Sequence, residues 1–427
     1  MKAVVRHGVG DIRVEDVPEP KVQDPHDAVV RITTAAISGT DLHLVRGTLP
    51  GPRAGQVLGH EAVGVVEETG SGVRNFRPGD RVVISPTVAC GTCPTCRAGL
   101  YAQCDDADPA GSRGGTVLLG GPGGAGGLDG LQAEYARVPF AHTGLVALPD
   151  SVDDGRAVLL ADALPAAWFG ARLAGVSGGD TVAILGAGPV GLCAVAAARH
   201  HGAGRVVVVD GLTDRLALAR AQHAETVDFN SEDPVEKVRE MTGGAGVDRV
   251  IEAVGVDAER PVLGPAADAV AAAGERAGHE EAYTAARDRA ASVRSPDARG
   301  TWTPGDAPGL AVRWAVEMAA RAGSVGILGT YPPHADRFPL GRAVRKNLTL
   351  RMGTCHHRRY LPRLVDLVAS GALDPPPVLS HWAVTDDAVA AYGNLDRREP
   401  GWTKVALDIA DPAPPRAPDP LWGVPED

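Results

Sequence analysis

Four cysteines fall within fifteen residues, Cys90, Cys93, Cys96 and Cys104, spaced C-x2-C-x2-C-x7-C in a stretch that also holds Gly and Pro. Four thiolates so close together make a closed tetrahedral sulfur set, which is how structural zinc is held, with no position left for a substrate. In a chain of 427 residues with six cysteines in all, a metal site is favoured over a disulfide framework. Zinc bound this way is worth roughly 10–16 kcal/mol of apparent binding energy in small peptides, enough to order a loop without a core of its own. Cys193 and Cys355 lie outside the cluster, and Cys193 reads as a small buried residue.

A second chemistry-bearing run is GAGPVG, residues 186–191, preceded by the apolar segment TVAIL and followed by PVGLCAVAAARHH. Gly186 permits the tight turn, Gly188 lets backbone approach a pyrophosphate, and Gly191 lets the helix pack on the strand. Pro189 and Val190 belong to the same cofactor site. Asp210 ends the next apolar segment about twenty residues on; its carboxylate would accept from the adenosine ribose hydroxyls and repel a 2′-phosphate, favouring NAD over NADP. Ligands of such sheets sit at the carboxyl ends of the strands, so Val254 and Gly255, and Leu328 to Thr330, should border the nucleotide. Arg215 either lies over the adenosine or is a solvated helix arginine.

These residues need elements to hold them. Up to about Pro149 the chain is strand-rich, with AVGVVEE (62–68) and DRVVISP (80–86) between turns. From about Leu164 to Met352 strands alternate with helices: TVAIL, RVVVV, DRVIEA, SVGIL and LTLRM are the strands. Helix 189–201 should stop at Gly202, and helix 311–322 at Gly323. The alternation predicts an α/β fold with a doubly wound parallel sheet of the Rossmann kind. The domain reading is 164–352 for the nucleotide-binding domain, with 1–163 and 353–427 forming the second domain around the cysteine lobe at 90–104. Residues 257–309 are too long for a simple connection and read as an insertion, over the cleft, at a subunit interface, or without a role. The glycine-rich stretch 111–130 reads as a flexible surface connection. It is also a candidate, with Trp168 and Phe140, for lining a pocket, although each could equally be core or surface. RRYLPRLVDLVASG (358–371) carries one apolar helical face, WTKVALDI (402–409) reads as a closing strand, and the tail beyond Pro412 is Pro-rich.

Hydrophobic residues make up 44% and charged residues 22%, and no run of about 18 apolar residues suggests a membrane span. The segment MKAVVRHGVGDIRVEDVPEP has no apolar core of a signal peptide, so a cytoplasmic location is expected. A net charge of −11 disfavours nucleic acid as a partner, because phosphate binding needs a basic face.

Ser38-Gly39-Thr40-Asp41-Leu42-His43, Gly59-His60-Glu61, the cysteine lobe and GAGPVG together resemble the zinc-containing medium-chain alcohol dehydrogenases. Asp162 in LLADALPAAWFG and the segment LQAEYARVPFA (131–141) are more similar to the branch of glutathione-independent formaldehyde dehydrogenases and dismutases. The resemblance spans nearly all of the chain except 257–309 and the tail. It implies a GroES-like catalytic domain, a homodimer or homotetramer, and interconversion of a small-molecule alcohol and aldehyde. It further implies a catalytic zinc held at Ser38, His60 and Asp162, where relatives carry cysteine at the first position. A serine hydroxyl is a poor zinc ligand beside cysteine, histidine or carboxylate, so Glu61 is a candidate to complete the set. By the same resemblance Thr40 and His43 form a proton relay through the cofactor ribose, Asp41 orients His60, and Lys404 reaches the cofactor phosphate. Zinc matters because it lowers the pKa of bound water to about 7, and a bound alcohol should respond likewise. Two other readings stay open: a zinc-free carbonyl reductase in which Ser38 and Thr40 donate to the carbonyl, and a non-catalytic nucleotide-binding relative.

Overall fold

The structure, a computed structural model, describes residues 1–49, 53–108, 115–121, 127–272, 304–332 and 338–409, together with Ala285, Asp288 and Trp302. Six parallel strands form one sheet in the spatial order Glu225–Asp228, Arg205–Asp210, Thr181–Leu185, Val247–Glu252, Ala319–Ile327, Thr349–Met352. Val206 to Val209 are buried in it, as strands covered on both faces require. The first and fourth strands in chain order are neighbours, and the winding reverses between them, which opens a crevice at their carboxyl ends.

The second unit is built on an almost wholly antiparallel sheet running His381–Val384, Val405–Asp408, Ala28–Ile37, Glu61–Thr69, Arg81–Ile84, Leu145–Ala147, with Tyr135–Val138 also pairing to Ala28–Ile37. The returning C-terminal segment therefore completes a sheet begun at the N-terminus. Helices Asp154–Ala161 and Ala163–Ala174 bridge the two units, and the chain bends by 46° between them at Asp162. Asp162 itself leaves helical geometry at φ −140°, ψ −56°, so its side chain is presented by a break in the helix. Helix Ala163–Ala174 packs so closely on the parallel sheet that a Cβ on Gly326 would stand 2.7 Å from the Ala174 amide nitrogen. Among the described residues no single helix is long and apolar enough to cross a membrane.

Three expectations are corrected. The helix read as 311–322 spans Leu310–Met318; Ala319 is extended at ψ 135° and starts a strand, with a register shift before Ser324 joins Arg249. Its last carbonyls are taken by Lys346 Nζ, which donates to Val316, Glu317 and Ala319 at 2.7–2.9 Å, so Gly323 caps nothing. Strand Glu225–Asp228 was not foreseen, because only Val227 of its four residues is buried. The glycine-rich stretch is no surface connection over 115–121: Val117 and Leu119 are buried in the core of the second unit. Gly120 and Gly130 press against Gly59, too close for a Cβ. Residues 109–114 and 122–126 lie outside the described residues, as do most of the helix-forming stretch 267–291 and the tail. Trp302 packs into the core of the second unit.

Trp168 is buried between helices, with its ring 4.9 Å from that of His200, 4.5 Å from that of His201, and under the Arg363 guanidinium. Burial lowers the His201 pKa to about 4, and Arg172, His200 and Arg363 push the same way. An unfolded histidine titrates near 6.5, so the native state favours neutral His201. Its contribution is complete above about pH 6.5 and declines as the pH falls towards 4. His201→Gln is therefore expected to flatten the loss of unfolding free energy between pH 7 and 5, measured by urea titration. An unchanged acid limb would remove His201 from the cause.

Candidate active site

The crevice between the two units is a cavity of about 360 Å³. One end is the glycine turn. Gly186 takes φ +91°, and its Cβ would lie 2.9 Å from Val254 Cγ2, while a Cβ on Gly191 would stand 1.8 Å from the Gly186 carbonyl. Helix Pro189–His200 has no side chain capping its N-terminus, so its first amides stay available to an anion. Gly188, Pro189, Val190, Val254, Leu328 and Thr330 all line the cavity. Gly191 does not, which makes it a packing glycine. Asp210 accepts from Ala187 N at 2.6 Å, Gly211 N at 2.8 Å and Leu212 N at 2.9 Å. Its carboxylate is thereby tied to the turn that would hold the pyrophosphate. Arg215 reaches to 4.0 Å from where Gly188 would carry a Cβ, and its buried Nε has no hydrogen-bond partner among the described residues. That orphaned donor beside an uncapped helix suits a bound phosphate.

The other end is built on helix Gly39–Arg46. Ser38 caps it: Ser38 Oγ accepts from Thr40 N at 3.1 Å, and Asp41 Oδ2 accepts from Ser38 N at 2.9 Å. The second oxygen of Asp41 lies 3.2 Å from His60 Nδ1. Asp41 thus serves as a cap and as the orienter of His60, which places the proton on Nδ1 and leaves Nε2 free to ligate. His60 Nε2 is 3.2 Å from Ser38 Oγ and 3.7 Å from Asp162 Oδ2. Burial works against a charged His60, yet Asp41 and Asp162 outweigh it and raise its pKa well above the usual value. Ligand atoms of His60, Glu61 and Asp162 all lie within 4.8 Å of one another. One imidazole and two carboxylates, with a hydroxyl beside them, fit a zinc-type cation.

Glu61 is committed elsewhere as well. Its Oε2 is 2.5 Å from Lys404 Nζ, and both side chains are only 1% exposed. Burial raises the Glu61 pKa and Lys404 opposes it. Lys404 lines the cavity, but its charge is directed to Glu61 and to the Ile37 carbonyl at 3.3 Å. Trp168 and Phe140 do not line the cleft, whereas Asp257, Ala258, Glu259, Arg260 and Val262 do, so the start of the 257–309 segment forms a cleft wall.

Sequence reasoning passed over His357 and Asp257. His357 Nε2 is 2.7 Å from Asp162 Oδ1 and its Nδ1 3.4 Å from Thr87 Oγ1. Burial disfavours the Asp162 carboxylate, but His357 and His60 hold its pKa well below the usual range. Asp257 faces His43 and Arg46 from across the cleft. Neither residue sits in a spacing that sequence alone marks as functional.

In the cysteine lobe the four side chains are 2–6% exposed, and their sulfurs lie within 4.8 Å of one another. Backbone amides point at them: Cys90 N to Cys104 Sγ at 3.2 Å, Thr92 N and Cys93 N to Cys90 Sγ at 3.3 Å. Burial resists ionisation of Cys93, but Thr95 and the Cys96 amide bring its pKa down to about 6. Burial and the neighbouring sulfurs push Cys96 up. Four sulfurs this close could all carry charge only around a cation, and the set fits structural zinc.

Residues 24–150 match the family "Alcohol dehydrogenase GroES-like domain" and residues 189–277 the family "Zinc-binding dehydrogenase". The zinc-type alcohol dehydrogenase-like protein AdhB of Bacillus subtilis is 35% identical, covering 95% of this chain and 100% of its own length. The glutathione-independent formaldehyde dehydrogenase of Pseudomonas aeruginosa is 33% identical, covering 93% and 96%. The solved alcohol dehydrogenase TADH from Thermus sp. ATN1 superposes with a TM-score of 0.74 at 33% identity, covering 96% and 100%.

Proposed function

The chain belongs to the zinc-type medium-chain alcohol dehydrogenase family, and from that premise we propose that it is an NAD-dependent oxidoreductase of a small or medium alcohol and its aldehyde. One observation carries this reading: a single cleft joins the glycine turn and Asp210 to Ser38, Thr40, His43, Glu61 and Asp162. His60 and Asp162 would hold a catalytic zinc, with Ser38 and Glu61 beside them, and the lobe cysteines a structural one. Bound zinc supplies Lewis-acid polarisation of the substrate oxygen, and NAD supplies the hydride acceptor. The chain's own residues do the rest. Thr40 and His43 line the cleft and offer a hydroxyl and an imidazole to the proton an alcohol must lose. Leu42 and Ile37 also line it and help exclude water.

A second reading, zinc-free carbonyl reduction, is favoured by the Ser38 Oγ contact with His60, which replaces a thiolate by a neutral donor. The two separate on a panel of alcohols and aldehydes with NAD(H), assayed before and after selective removal of a second zinc. Full activity after removal supports the zinc-free reductase; absence of turnover throughout, zinc added, overturns both.

For the nucleotide, Asp210→Ala is expected to move the kcat/KM preference towards NADP by about tenfold or more, because a carboxylate beside a 2′-phosphate is repulsive. Wild-type protein preferring NADP would refute the assignment. The homodimer or homotetramer expected of such a protein has a candidate surface in the sheet edge Thr349–Met352, beside which Leu340, Val344 and Met352 are exposed.

A further inference from the structure

His43 and Asp257 come from opposite sides of the cleft. His43 is on helix Gly39–Arg46 of the antiparallel unit. Asp257 follows strand Val247–Glu252 of the parallel sheet, at the mouth of the 257–309 segment. Asp257 Oδ2 lies 3.3 Å from His43 Nδ1, and both side chains are buried, at 12% and 7% exposure. The same oxygen also pairs with Arg46. Thr48 Oγ1 lies 3.0 Å from His43 Nδ1 and is itself positioned to donate to the His43 carbonyl at 3.3 Å.

The tautomer follows from these partners. A carboxylate is an acceptor only, and a threonine hydroxyl whose proton is directed to a carbonyl presents a lone pair. With the Thr48 hydroxyl turned to the His43 carbonyl, Nδ1 faces two acceptors, and the Asp257 carboxylate favours the hydrogen there, which leaves Nε2 as the basic nitrogen.

We propose that Asp257 is the positioning residue for His43, fixing the Nδ1–H tautomer so that Nε2 accepts the proton released in the cleft. A proton bound at Nε2 forms an N–H bond and an imidazolium, and the Asp257 carboxylate faces that charge. The charged groups around His43 are Arg46 on its own helix, Asp257 across the cleft, Asp396 behind Arg46, and Arg398, which donates to the Asp257 carbonyl. Burial lowers the His43 pKa, Arg46 pushes the same way, and Asp257 opposes both. Because Asp257 belongs to the nucleotide-binding unit, the relay histidine is set only when the two units meet as they do here. Arg46 is the strut of that contact: its Nε donates to Asp396 at 2.7 Å while its other arm holds Asp257.

The inference rests on the alcohol dehydrogenase reading of the cleft, and its test separates the two. Asp257→Asn, His43→Gln and the double variant are compared with wild type over pH 5–10. If Asp257 acts through His43, Asp257→Asn lowers kcat about tenfold or more with a smaller change in the KM for NAD. It also moves the acidic limb of kcat/KM down by about one pH unit. In the His43→Gln background the same change has no further effect on kcat. Equal losses in both backgrounds, or an unmoved limb, would reduce Asp257 to a strut between the units. The His43 imidazole is also titrated by NMR in wild type and Asp257→Asn, which needs neither turnover nor full stability of the double variant. A midpoint and tautomer unchanged by Asp257→Asn overturn the inference; a shifted midpoint in a wild type without activity sustains it while the dehydrogenase reading fails.

Discussion

Ser38→Cys is expected to tighten zinc binding at the His60 site by roughly 100-fold or more, since a thiolate replaces a neutral hydroxyl in a set of borderline-soft donors. The wild-type protein, purified without added metal or chelator, should then hold one zinc firmly in the cysteine lobe and a second that a mild chelator strips first. A sulfur at this position would have two roles to fill. Ser38 caps helix Gly39–Arg46 by accepting from Thr40 N, and a sulfur already caps a helix in this chain, where Cys93 accepts from Cys96 N. Its Oγ stands 3.2 Å from His60 Nε2, on the side facing Asp162. Loss of the second ion should lower alcohol oxidation by about three orders of magnitude or more, because deprotonation of an unactivated hydroxyl near pH 7 is so unfavourable. Zinc per chain by elemental analysis, and competition with a chromophoric chelator, give the affinities. An affinity unmoved by Ser38→Cys would place the ion away from residue 38 and leave the zinc-free reductase as the better account.

The parts of this arrangement that were legible in the sequence are those fixed by local chemistry. GAGPVG announces its turn because only glycine fits at Gly186 and Gly191, and Asp210 ends the neighbouring strand, where it accepts from Ala187 N. The cysteines are close in sequence and therefore close in space. Asp41 follows the capping Ser38 by three residues, and its two oxygens meet the Ser38 amide and His60 Nδ1. What could not be read joins distant segments through single contacts. His357 reaches Asp162 over 195 residues, Lys404 reaches Glu61, and Asp257 reaches His43. Each is an ordinary polar residue in its own segment, and only the return of the chain to the first sheet, or the meeting of the two units, gives it a partner. The buried pair of Glu61 and Lys404 is an instructive case. The resemblance implies a phosphate for Lys404, but at 1% exposure a lysine needs a fixed counter-charge, and Glu61 provides it.

Cys104→Ser should destabilise the whole protein, not the lobe alone, and should weaken zinc binding at the site proposed around His60 although Cys104 is not part of it. The lobe contains a short α-helix, Pro94–Arg97, and a single 3-10 turn, Tyr101–Gln103, with a cluster of buried residues that is the cysteines and Ala89. With so little apolar area to bury, its order would rest on the zinc proposed there, and loss of one ligand should cost several kcal/mol, lowering the unfolding midpoint by roughly 5 °C. The effect travels because Ala102 N donates to His356 Nδ1 at 3.1 Å. His356 precedes helix His357–Ala369, whose first residue holds Asp162 at 2.7 Å. Thr87, just before the first cysteine, touches the other nitrogen of His357. Releasing the lobe therefore loosens one contact on His356 and one on His357, and with them the carboxylate that the cleft would present to a cation. An outer partner of this kind is worth roughly 10–100-fold in metal affinity. In Cys104→Ser, zinc affinity at the His60 site should accordingly fall by about tenfold, measured at a temperature where circular dichroism shows the sheets intact. His357→Gln should reproduce that loss without lowering the lobe's own zinc content. If Cys104→Ser empties the lobe and leaves the second affinity as it was, the two sites are independent and His356 and His357 carry no coupling between them.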